Sequence, residues 1–499
     1  MYLLIIYLPF LSFIILGLFG RFLGYRGSLY FAAVCILFAN LLSYIICYEV
    51  CICDTTSIIH LATWINFDIM QLDFGFYFDT LTSIMLVVVT FISLVAHIYS
   101  VEYMNNDPHR IRFICYLSLF TFFMLLLVTA HNLVQLFIGW EGVGICSYLL
   151  INFWFSRIQA NKSAILAVVV NKISDLALLC AFAAIFYYNK SFDITVLSGV
   201  ATLFSDCLIN SDIFYIMHYW VCLLFIIGAV GKSAQIGLHI WLPEAMEGPT
   251  PVSSLIHAAT MVTAGIFLLC RFRFFYTFFP ELLVLIVLIG ALTAFFGATV
   301  GIFVTDLKKV IAYSTCSQLG YMFFACGLLQ FSSAMYHLFI HAFFKALLFL
   351  CAGYLIHACH EEQDLRKYGG LYKILPSQYV MVSVGSISLM GLPFFSGFFS
   401  KERIVESIYG YSAFINIGIY NYIYFAEFLV SIVVICSVIY SMRLLAYVFF
   451  NSFGGFRQHI MNIHYASVIT IFALAILAIA SICCGYITEI FFYDYALFG

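Results

Sequence analysis

The sequence predicts an all-α polytopic membrane protein with about 14 transmembrane helices. Hydrophobic residues make up 65% of the chain and charged residues only 9%, whereas a soluble domain usually carries about 25% charged residues. Apolar runs of about 20 residues recur along the whole chain, and each can cross a hydrocarbon core of about 30 Å. Because backbone groups in lipid must be paired within the protein, these continuous runs predict helices rather than the alternating strands of a barrel.

The predicted spans follow one another closely, and no soluble domain fits between them. The longest loops, near 48–77 and 189–213, are short and mildly acidic. The predicted limits of the spans are 3–19, 29–47, 78–103, 112–130, 133–155, 162–188, 214–242, 252–273, 281–303, 305–327, 331–358, 378–409, 422–450 and 464–490.

Lysine and arginine favour loops on the cytoplasmic or matrix side of a membrane, so their distribution predicts orientation. Only Lys190, Arg271 and Arg273 fall in loops of the less basic side. Both termini are expected on that outer side. The basic residues of the inner side are Arg21, Arg26, Arg110, Arg112, Arg157, Lys162, Lys308, Lys309, Arg366, Lys367, Lys373 and Arg457.

Two spans contain residues that interrupt helices. The seventh contains Gly231 and runs into Pro243, and the twelfth contains Pro393 between glycines. Non-helical backbone at membrane depth is tolerated only where it is buried in protein or lines a wet cavity. We therefore expect buried, non-helical backbone over 392–397, with Lys401 close by.

The two interrupted spans lie five positions apart in the helix order. This spacing predicts two inverted five-helix repeats, roughly residues 112–273 and 281–450, each with one discontinuous helix. Residues 1–111 then form N-terminal transmembrane helices, and residues 451–499 contain a C-terminal transmembrane helix. Discontinuous helices at matching places in two repeats point to a transport path.

A small set of ionisable residues lies within the predicted spans, where each charge costs about 2.5–3.5 kcal/mol at the bilayer centre. Such residues are rare unless they face an interior path. Lys232 sits at the break of the seventh span, and Lys401 with Glu402 follows the break of the twelfth. The candidate proton-transfer residues are Glu141, Asp175, Lys232, His257, His337, His341, Lys345, Lys401 and Glu402.

Three of these residues form a stripe. His337, His341 and Lys345 are spaced i, i+4 and i+8, so they share one face of a helix. Imidazoles that lead to an amine can pass protons in short steps through water. A buried lysine can exchange a proton near neutral pH, and histidine titrates in that range without any shift.

Single residues of this set also have purely structural interpretations. Glu141 alone can be a static ion-pair partner, and His257 alone can be a satisfied core histidine. Lys172 and Arg443 can snorkel from the ends of spans, so we leave them out of the candidate set. A purely structural role for the whole set is harder to sustain, because its lysines and carboxylates lie in separate spans, two of them at helix breaks.

Other chemistries find little support in the sequence. The Gly-Lys-Ser at 231–233 resembles a phosphate-binding loop, but that motif needs a glycine where Ile226 stands. His357, His360 and Glu361 lie at a helix end in a charged loop and do not predict a metal site. The net charge of -3, without runs of Lys or Arg, argues against nucleic acid. The 17 cysteines fall mostly singly in apolar runs, as small buried hydrophobes do.

An ordered set of motifs runs from about residue 75 to residue 450. The motifs are Gly139-Trp140-Glu141-Gly142-Val143-Gly144, Gly231-Lys232-Ser233-Ala234-Gln235-Ile236-Gly237-Leu238-His239, Glu247-Gly248-Pro249-Thr250-Pro251-Val252-Ser253, Ser317-Gln318-Leu319-Gly320, His341-Ala342-Phe343-Phe344-Lys345-Ala346 and Ser400-Lys401. This set closely resembles the chain-5 family of respiratory complex I, the largest antiporter-like subunits of mitochondrial NADH:ubiquinone oxidoreductase.

The resemblance implies roles for the candidate residues of the first half. Glu141 and Lys232 match the charged pair of the family's first half-channel, and Asp175 matches an acid beside that pair. His257 matches a histidine that leads toward the centre. Each of these roles is an expectation that rests on the matching motif.

The resemblance implies further roles in the second half. His337, His341 and Lys345 match the family's central connection. Lys401, with an acid after it, matches the outlet site. The acid here is Glu402, where many relatives have Asp, and this exchange keeps the charge while lengthening the side chain by one carbon.

The implied function is proton translocation in the respiratory chain, at the far end of the membrane arm. Electron transport from NADH to ubiquinone would take place on other subunits, which hold FMN, iron–sulfur clusters and ubiquinone, so no cofactor is expected in this chain. Expected partners are the other membrane-arm subunits, especially the adjacent antiporter-like subunit, and membrane lipids. The expected location is the mitochondrial inner membrane, with both termini on the intermembrane-space side.

Two alternatives stay open at this point. One is a subunit of a multisubunit Na+/H+ antiporter, which shares the half-channel residues. The other is a structural arm segment without a working proton path. Relatives commonly continue into a long lateral helix and a last span, whereas this sequence stops at Gly499. We expect a separate polypeptide or substitute subunits to supply that clasp.

Overall fold

The structure, a computed structural model, describes residues 1–67, 70–207, 212–411, 420–455, 463 and 465–493. Arg457, assigned above to the inner side, lies outside the described residues. The helices are α1 (Tyr2–Cys47), α2 (Thr80–Tyr103), α3 (Arg110–Val128), α4 (Leu133–Ile151), α5 (Ile158–Asn189), α6 (Ile194–Cys207), α7 (Asp212–Lys232), α8 (Trp241–Glu244), α9 (Thr250–Ala258), α10 (Thr263–Arg271), α11 (Arg273–Tyr276), α12 (Pro280–Phe303), α13 (Leu307–Gly327), α14 (Phe331–Ala358), α15 (Pro376–Met390), α16 (Ser396–Tyr411), α17 (Tyr420–Leu445) and α18 (Val468–Tyr493). The strands are β1 (Ser57–Phe67) and β2 (Met70–Phe78).

The helix α1 contains two predicted spans that fold back on each other at Gly24. The backbone of Gly24, with φ 67° and ψ 174°, is non-helical and lies in a region that glycine alone adopts readily. The hydroxyl of Tyr2 donates a hydrogen bond to Glu49 across 2.7 Å, so the two ends of this segment lie side by side. One glycine therefore makes the reversal for which the sequence predicted a loop.

The described helices account for the predicted spans, and the prediction of an all-α polytopic membrane protein is confirmed. Within the described residues, ten helical segments are long and apolar enough to cross a membrane, with α1 counted once. The other predicted spans correspond to α7, to α13 and to the interrupted pair α15 and α16. The division into two inverted repeats stays a prediction, although the fourth span of each proposed repeat is interrupted.

The helix α14 lies at the centre of the bundle. Its membrane-crossing stretch is buried throughout, as is the stretch formed by α9 and α10. It packs against α2, α9, α13, α15, α16 and α18. By contrast, α1, α5, α17 and α18 are buried over less than half of their membrane-crossing stretches. These outer helices present apolar side chains to lipid or to partner proteins.

The seventh span is interrupted, as predicted. The helix α7 ends at Lys232, and residues 233–240 leave the helix before α8 begins. The hydroxyl of Ser233 donates to the carbonyl of Ala229, and such back-bonding bends helices. Ala234 and Gly237 then adopt positive φ angles of 50° and 97°, which end the regular turn.

The twelfth span is also interrupted, between α15 and α16. Gly391 and Phe394 have positive φ angles of 81° and 72°. A Cβ on Gly391 would lie 3.3 Å from the Cδ of Lys401, so Lys401 is close to the break, as expected. The expectation that this backbone is buried is confirmed for Ser396 and Gly397 but wrong for its first part in the chain alone, because Leu392 is 46% exposed and Phe394 87% exposed. Loop backbone at a membrane-facing surface needs cover from another protein or from water.

A further break, which the sequence analysis missed, separates α9 from α10. Residues 259–262 are non-helical, although this stretch contains neither glycine nor proline. The hydroxyl of Thr260 donates to the carbonyl of Leu255 across 2.8 Å, and that of Thr263 donates to Ala259 across 2.9 Å. Threonine hydroxyls thus donate hydrogen bonds to backbone carbonyls at the break.

A β-hairpin covers one face of the bundle, where the sequence predicted only a loop. The strands β1 and β2 are antiparallel, and β2 continues the pairing beyond the hairpin. The amide of Tyr77 donates to Thr129 across 2.9 Å, and the amide of Ile194 donates to His131 across 3.1 Å. The hairpin, the α3–α4 connection and the α5–α6 connection therefore lie side by side as extended segments.

The loops separate into the two faces that the basic residues predicted. On the hairpin face, Arg271 donates to Asp79, with 2.5 Å between the closest atoms, and ties the end of α10 to the start of α2. On the opposite face, Arg157 lies 3.4 Å from Glu361. Charged side chains thus link neighbouring loops within each face.

Candidate functional site

Seven of the nine candidate residues are buried inside the bundle, where a charge is costly unless it has a partner or a path. Glu141 is partly buried, and Glu402 is exposed. The seven buried residues are Asp175, Lys232, His257, His337, His341, Lys345 and Lys401. They come from α5, α7, α9, α14 and α16, so the fold brings together residues that are far apart in the sequence.

Lys232 closes α7 and reaches α4. Its ammonium donates to the carbonyl of Trp140 across 3.3 Å and lies 5.5 Å from the centre of the Trp140 ring. The indole N–H of Trp140 donates to Asp175 across 2.7 Å. A Cβ on Gly144 would lie 3.1 Å from the ammonium, so the glycine leaves room for it. Trp140 therefore holds a buried amine on one side and a buried carboxylate on the other.

The expected ion pair between Glu141 and Lys232 is not the one that the structure forms, because Glu141 pairs with Lys172. The Nζ of Lys172 lies 2.5 Å from Oε2 of Glu141. Trp140 contacts α5 as well, through Asp175, so the neighbouring side chains of Trp140 and Glu141 bond to two different residues of that helix. Lys172 is the functional candidate that the sequence analysis left out. Its spacing of three residues from Asp175 on one helix face was the available signal.

A cavity of about 260 Å³ lies beside this ion pair, between α4 and α5. Its polar wall contains Glu141, Lys172 and Asp175, and the rest of the lining is mostly apolar. Ile145 and Val169 line it as well and are more than half exposed. The ion pair therefore lies at a surface of the chain, whereas Lys232 lies inside.

His257 lies on α9, between the break in α7 and the central helix. Its ring centre is 6.1 Å from that of Trp241 and 6.0 Å from that of Phe349. Neither ring nitrogen has a hydrogen-bond partner among the described protein atoms. A core histidine that only supports the fold usually has its nitrogens paired, so His257 departs from that alternative.

The stripe on α14 forms the centre of the site. The ammonium of Lys345 donates to the hydroxyl of Ser314 on α13 across 2.5 Å. The rings of His337 and His341 are 6.2 Å apart between their centres. The other side of His337 contacts α16, where Nδ1 lies 2.8 Å from Oγ of Ser400. The stripe therefore links α13 to the helix that follows the second break.

Lys401, next to Ser400, closes the series. Its ammonium donates to the carbonyl of Leu389 in α15, across the break. It also lies 6.0 Å from the ring centre of Tyr321. Glu402 is exposed and lies on another face of α16, so this structure does not join it to Lys401. Of the two residues predicted to form the outlet, Lys401 and Glu402, only Lys401 belongs to the buried candidate residues.

The arrangement can bind and release protons at successive buried groups. Lys232 and Lys401 lie at helix breaks, and Lys345 contacts a hydroxyl. The groups around each lysine can therefore move while the apolar side chains around the site stay packed. In the described part of the chain, no three His, Cys, Asp or Glu side chains converge as metal ligands do.

Comparisons with known proteins identify the family of the chain. The family model "NADH:quinone oxidoreductase/Mrp antiporter, TM" matches residues 130–426, and "NADH-Ubiquinone oxidoreductase (complex I), chain 5 N-terminus" matches residues 64–114. The chain is 48% identical to NADH-ubiquinone oxidoreductase chain 5 of Marchantia polymorpha over 493 residues, covering 98% of this chain and 72% of the relative. It is 48% identical to the Arabidopsis thaliana protein of the same name over 490 residues, again covering 98% and 72%.

Among solved structures, the chain is similar to a chain of the Mrp complex from Dietzia sp. DQ12-45-1b. The TM-score is 0.84 at 26% sequence identity, and the match covers 99% of this chain but only 51% of that chain. This likeness extends the shared architecture to a second group of membrane proteins. Sequence identity over nearly the whole length decides between the two groups: the chain belongs to the NADH-ubiquinone oxidoreductase chain 5 family.

Proposed function

We propose that this chain carries protons across a membrane as the chain-5 subunit of respiratory complex I. In this proposal NADH is oxidised and ubiquinone reduced on other subunits, which hold FMN, iron–sulfur clusters and the quinone. The enzyme reaction, proton-translocating NADH:ubiquinone reduction, belongs to the assembly. This chain contributes the membrane path.

The observation that carries the proposal is the series of buried ionisable groups that runs between the two interrupted helices. Lys232 stands at the first break, and Lys401 stands beside the second. Between them lie His257 and the stripe that ends at Lys345. A bundle that served only as a support would have no use for three lysines with almost no exposure, because each one costs stability in an apolar interior.

The breaks give the path a way to act in steps. A lysine at a helix end can move relative to its partners when the non-helical backbone beside it shifts. Such a movement changes whether its proton is held or released, because the affinity depends on nearby charges and on water. Apolar side chains around the series prevent protons from leaking between steps.

The partner surface follows from the pair of Glu141 and Lys172. The side chain of Lys172 is 57% exposed and that of Glu141 is 22% exposed, yet both residues lie within membrane-crossing helices. Charges facing lipid at this depth are costly. We therefore place the adjacent antiporter-like subunit against α4 and α5, and lipid against the apolar surfaces of the other outer helices.

The proposed location rests on the family of the chain, and the proposed orientation rests on the distribution of basic residues. We place the chain in the mitochondrial inner membrane, with the basic face toward the matrix. The hairpin and both termini then face the intermembrane space.

The test uses the intact complex in sealed membrane vesicles. Lys232→Met is expected to leave assembly and initial quinone reduction measurable while proton translocation per electron falls severely. Glu141→Gln should act in the same direction, because it removes a charge near the first lysine. Lys190→Met, outside the membrane at the end of α5, is the control and should pump normally. An assembled Lys232→Met complex with normal pumping would refute the proposal.

A second candidate is a subunit of a multisubunit Na+/H+ antiporter, favoured by the likeness to the Mrp chain. The two functions differ in their partners and in their driving force. Purification of the chain with its native partners, followed by an assay of NADH:quinone reduction, separates them. Redox activity in the purified assembly supports complex I, and sodium-dependent proton exchange without redox activity supports the alternative.

A further inference from the structure

We propose that Gln235 and Thr293 form a positioning pair that sets the location of Lys232 by fastening the break in α7 to α12. This inference rests on the proposed role of Lys232 in proton transfer. It assigns a function to two buried polar residues outside the candidate set. It also identifies one of the contacts through which the first break touches the second half of the bundle.

The break in α7 frees backbone carbonyls that need new partners, because water is scarce inside the bundle. The carbonyl of Gly231 accepts from the indole N–H of Trp241 across 3.0 Å. The carbonyl of Ser233 accepts from the side-chain amide of Gln235 across 3.1 Å. The thiol of Cys316 lies 3.5 Å from the carbonyl of Ala234. These contacts hold the chain directly after Lys232 in one conformation.

Gln235 has a special place among these contacts because both ends of its side-chain amide are used. Its NH₂ group donates to Ser233, and its carbonyl oxygen accepts from the hydroxyl of Thr293 across 2.6 Å. Its backbone N–H donates to Val230 across 2.9 Å. The residue is fully buried, so water does not compete for these bonds. Gln235 therefore joins the broken turn to a neighbouring helix.

Thr293 makes this fastening reversible. Its hydroxyl lies 2.6 Å from Gln235 and 2.8 Å from the carbonyl of Gly290 in its own helix. A hydroxyl has one proton and donates to one acceptor at a time. When the hydroxyl turns toward Gly290, the link to Gln235 opens without leaving the threonine unpaired. The carbonyl oxygen of Gln235 then loses its donor in a buried site, so the linked arrangement is the favoured one and the open arrangement is the minor one.

The helix α12 carries the contact toward the centre of the site. It packs closely on α13, where a Cβ on Gly320 would lie 2.6 Å from the hydroxyl of Thr293. The helix α13 also provides Ser314, which contacts Lys345. A shift at the break in α7 is thus transmitted through α12 to α13, the helix whose Ser314 contacts Lys345. This makes the Gln235–Thr293 contact a physical link between the two lysines.

The test compares isosteric substitutions in the intact complex. Thr293→Val removes the hydroxyl while keeping the shape, and Gln235→Leu removes the amide. Both are expected to lower proton translocation per electron by about two- to tenfold, as loss of one internal hydrogen bond predicts, and to shift its pH profile. Thr293→Ser keeps the hydroxyl and should restore both. Thr299→Val is the matched control, because the hydroxyl of Thr299 bonds only to carbonyls of its own helix.

The outcomes separate this inference from the proposed function. If Thr293→Ser fails as Thr293→Val does, packing rather than the hydroxyl matters, and the inference is overturned. If the effects of Thr293→Val and Gln235→Leu multiply in the double variant, the two residues act independently, which also overturns it. If Lys232→Met stops pumping while Thr293→Val changes neither rate nor pH profile, only this inference falls. If Lys232→Met pumps normally, the proposed function is refuted, and this inference, which rests on it, is refuted as well. If Gln235→Leu does not assemble, Thr293→Val and its serine rescue decide the question.

Discussion

Removal of the Lys172 charge should leave the carboxylate of Glu141 without its ion-pair partner within the membrane. The two charged groups are 2.5 Å apart, and nothing in this chain covers the lysine fully, since its side chain is 57% exposed. Glu141 lies about 12 Å along the helix from Leu133, where α4 begins, so it is near mid-membrane. Lys172→Met keeps an unbranched apolar side chain and deletes only the charge.

The size of the effect depends on whether a neighbouring subunit covers the pair. In a covered pair, loss of one partner costs about 3–5 kcal/mol, because an uncompensated charge stays buried. At 1.4 kcal/mol for each tenfold change, this weakens attachment of the chain by about two to three and a half orders of magnitude. An exposed pair contributes at most about 1 kcal/mol. Arg157 and Glu361, with side chains 50% and 75% exposed, provide the matched control.

The assay is the fraction of the chain that stays with the membrane arm as detergent or temperature is raised. Lys172→Met should dissociate early, and Arg157→Met should behave as the unmodified protein does. The double variant of Lys172→Met with Glu141→Gln should recover most of the loss, because both charges are gone. If the single variant is as stable as the control, or the double variant is no better than the single one, the reasoning about a covered pair is refuted.

Three more predictions concern other contacts. Ser314→Ala should slow proton translocation and alter its pH profile, while Ser314→Thr, which keeps the hydroxyl bonded to Lys345, should preserve both. Gly397→Ala would place a methyl carbon 1.8 Å from a carbonyl oxygen of α15, so thermal melting of the complex should drop by several degrees. Asp79→Asn should loosen the clamp to Arg271, and limited proteolysis should then cut the β-hairpin faster than in the unmodified protein.

The sequence indicated the breaks in the seventh and twelfth spans because glycine and proline mark them. Pro393 cannot donate a backbone hydrogen bond, and Gly391 accepts a positive φ without strain. The break between α9 and α10 carried no such mark. There Thr260 and its neighbours pair the freed carbonyls, and hydroxyls of this kind are common in unbroken helices as well. Hydrogen bonds from side chains at such a break can be identified only from the three-dimensional structure.

The partners of the buried charges were also beyond the reach of the sequence. Lys232 and Glu141 were both singled out, but the direction in which each side chain points depends on the rotation of its helix. Lys232 bonds to the backbone carbonyl of Trp140, which no side-chain pattern in the sequence marks, while Glu141 pairs with Lys172. The β-hairpin was missed because most of it lies between the long apolar runs, in a stretch that the sequence analysis assigned to a loop.

The reversal at Gly24 has a consequence for how the chain enters the membrane. A Cβ at this position would meet nothing within 4 Å, so the demand for glycine is torsional rather than steric. Because the turn is so tight, no long loop separates the two legs of α1, and we expect them to insert together as a hairpin. Arg21 and Arg26 are exposed on either side of the turn and mark the end that is held back from crossing. The first 50 residues therefore act as one insertion unit, and a side chain at Gly24 should reduce the yield of inserted protein before it affects any later step.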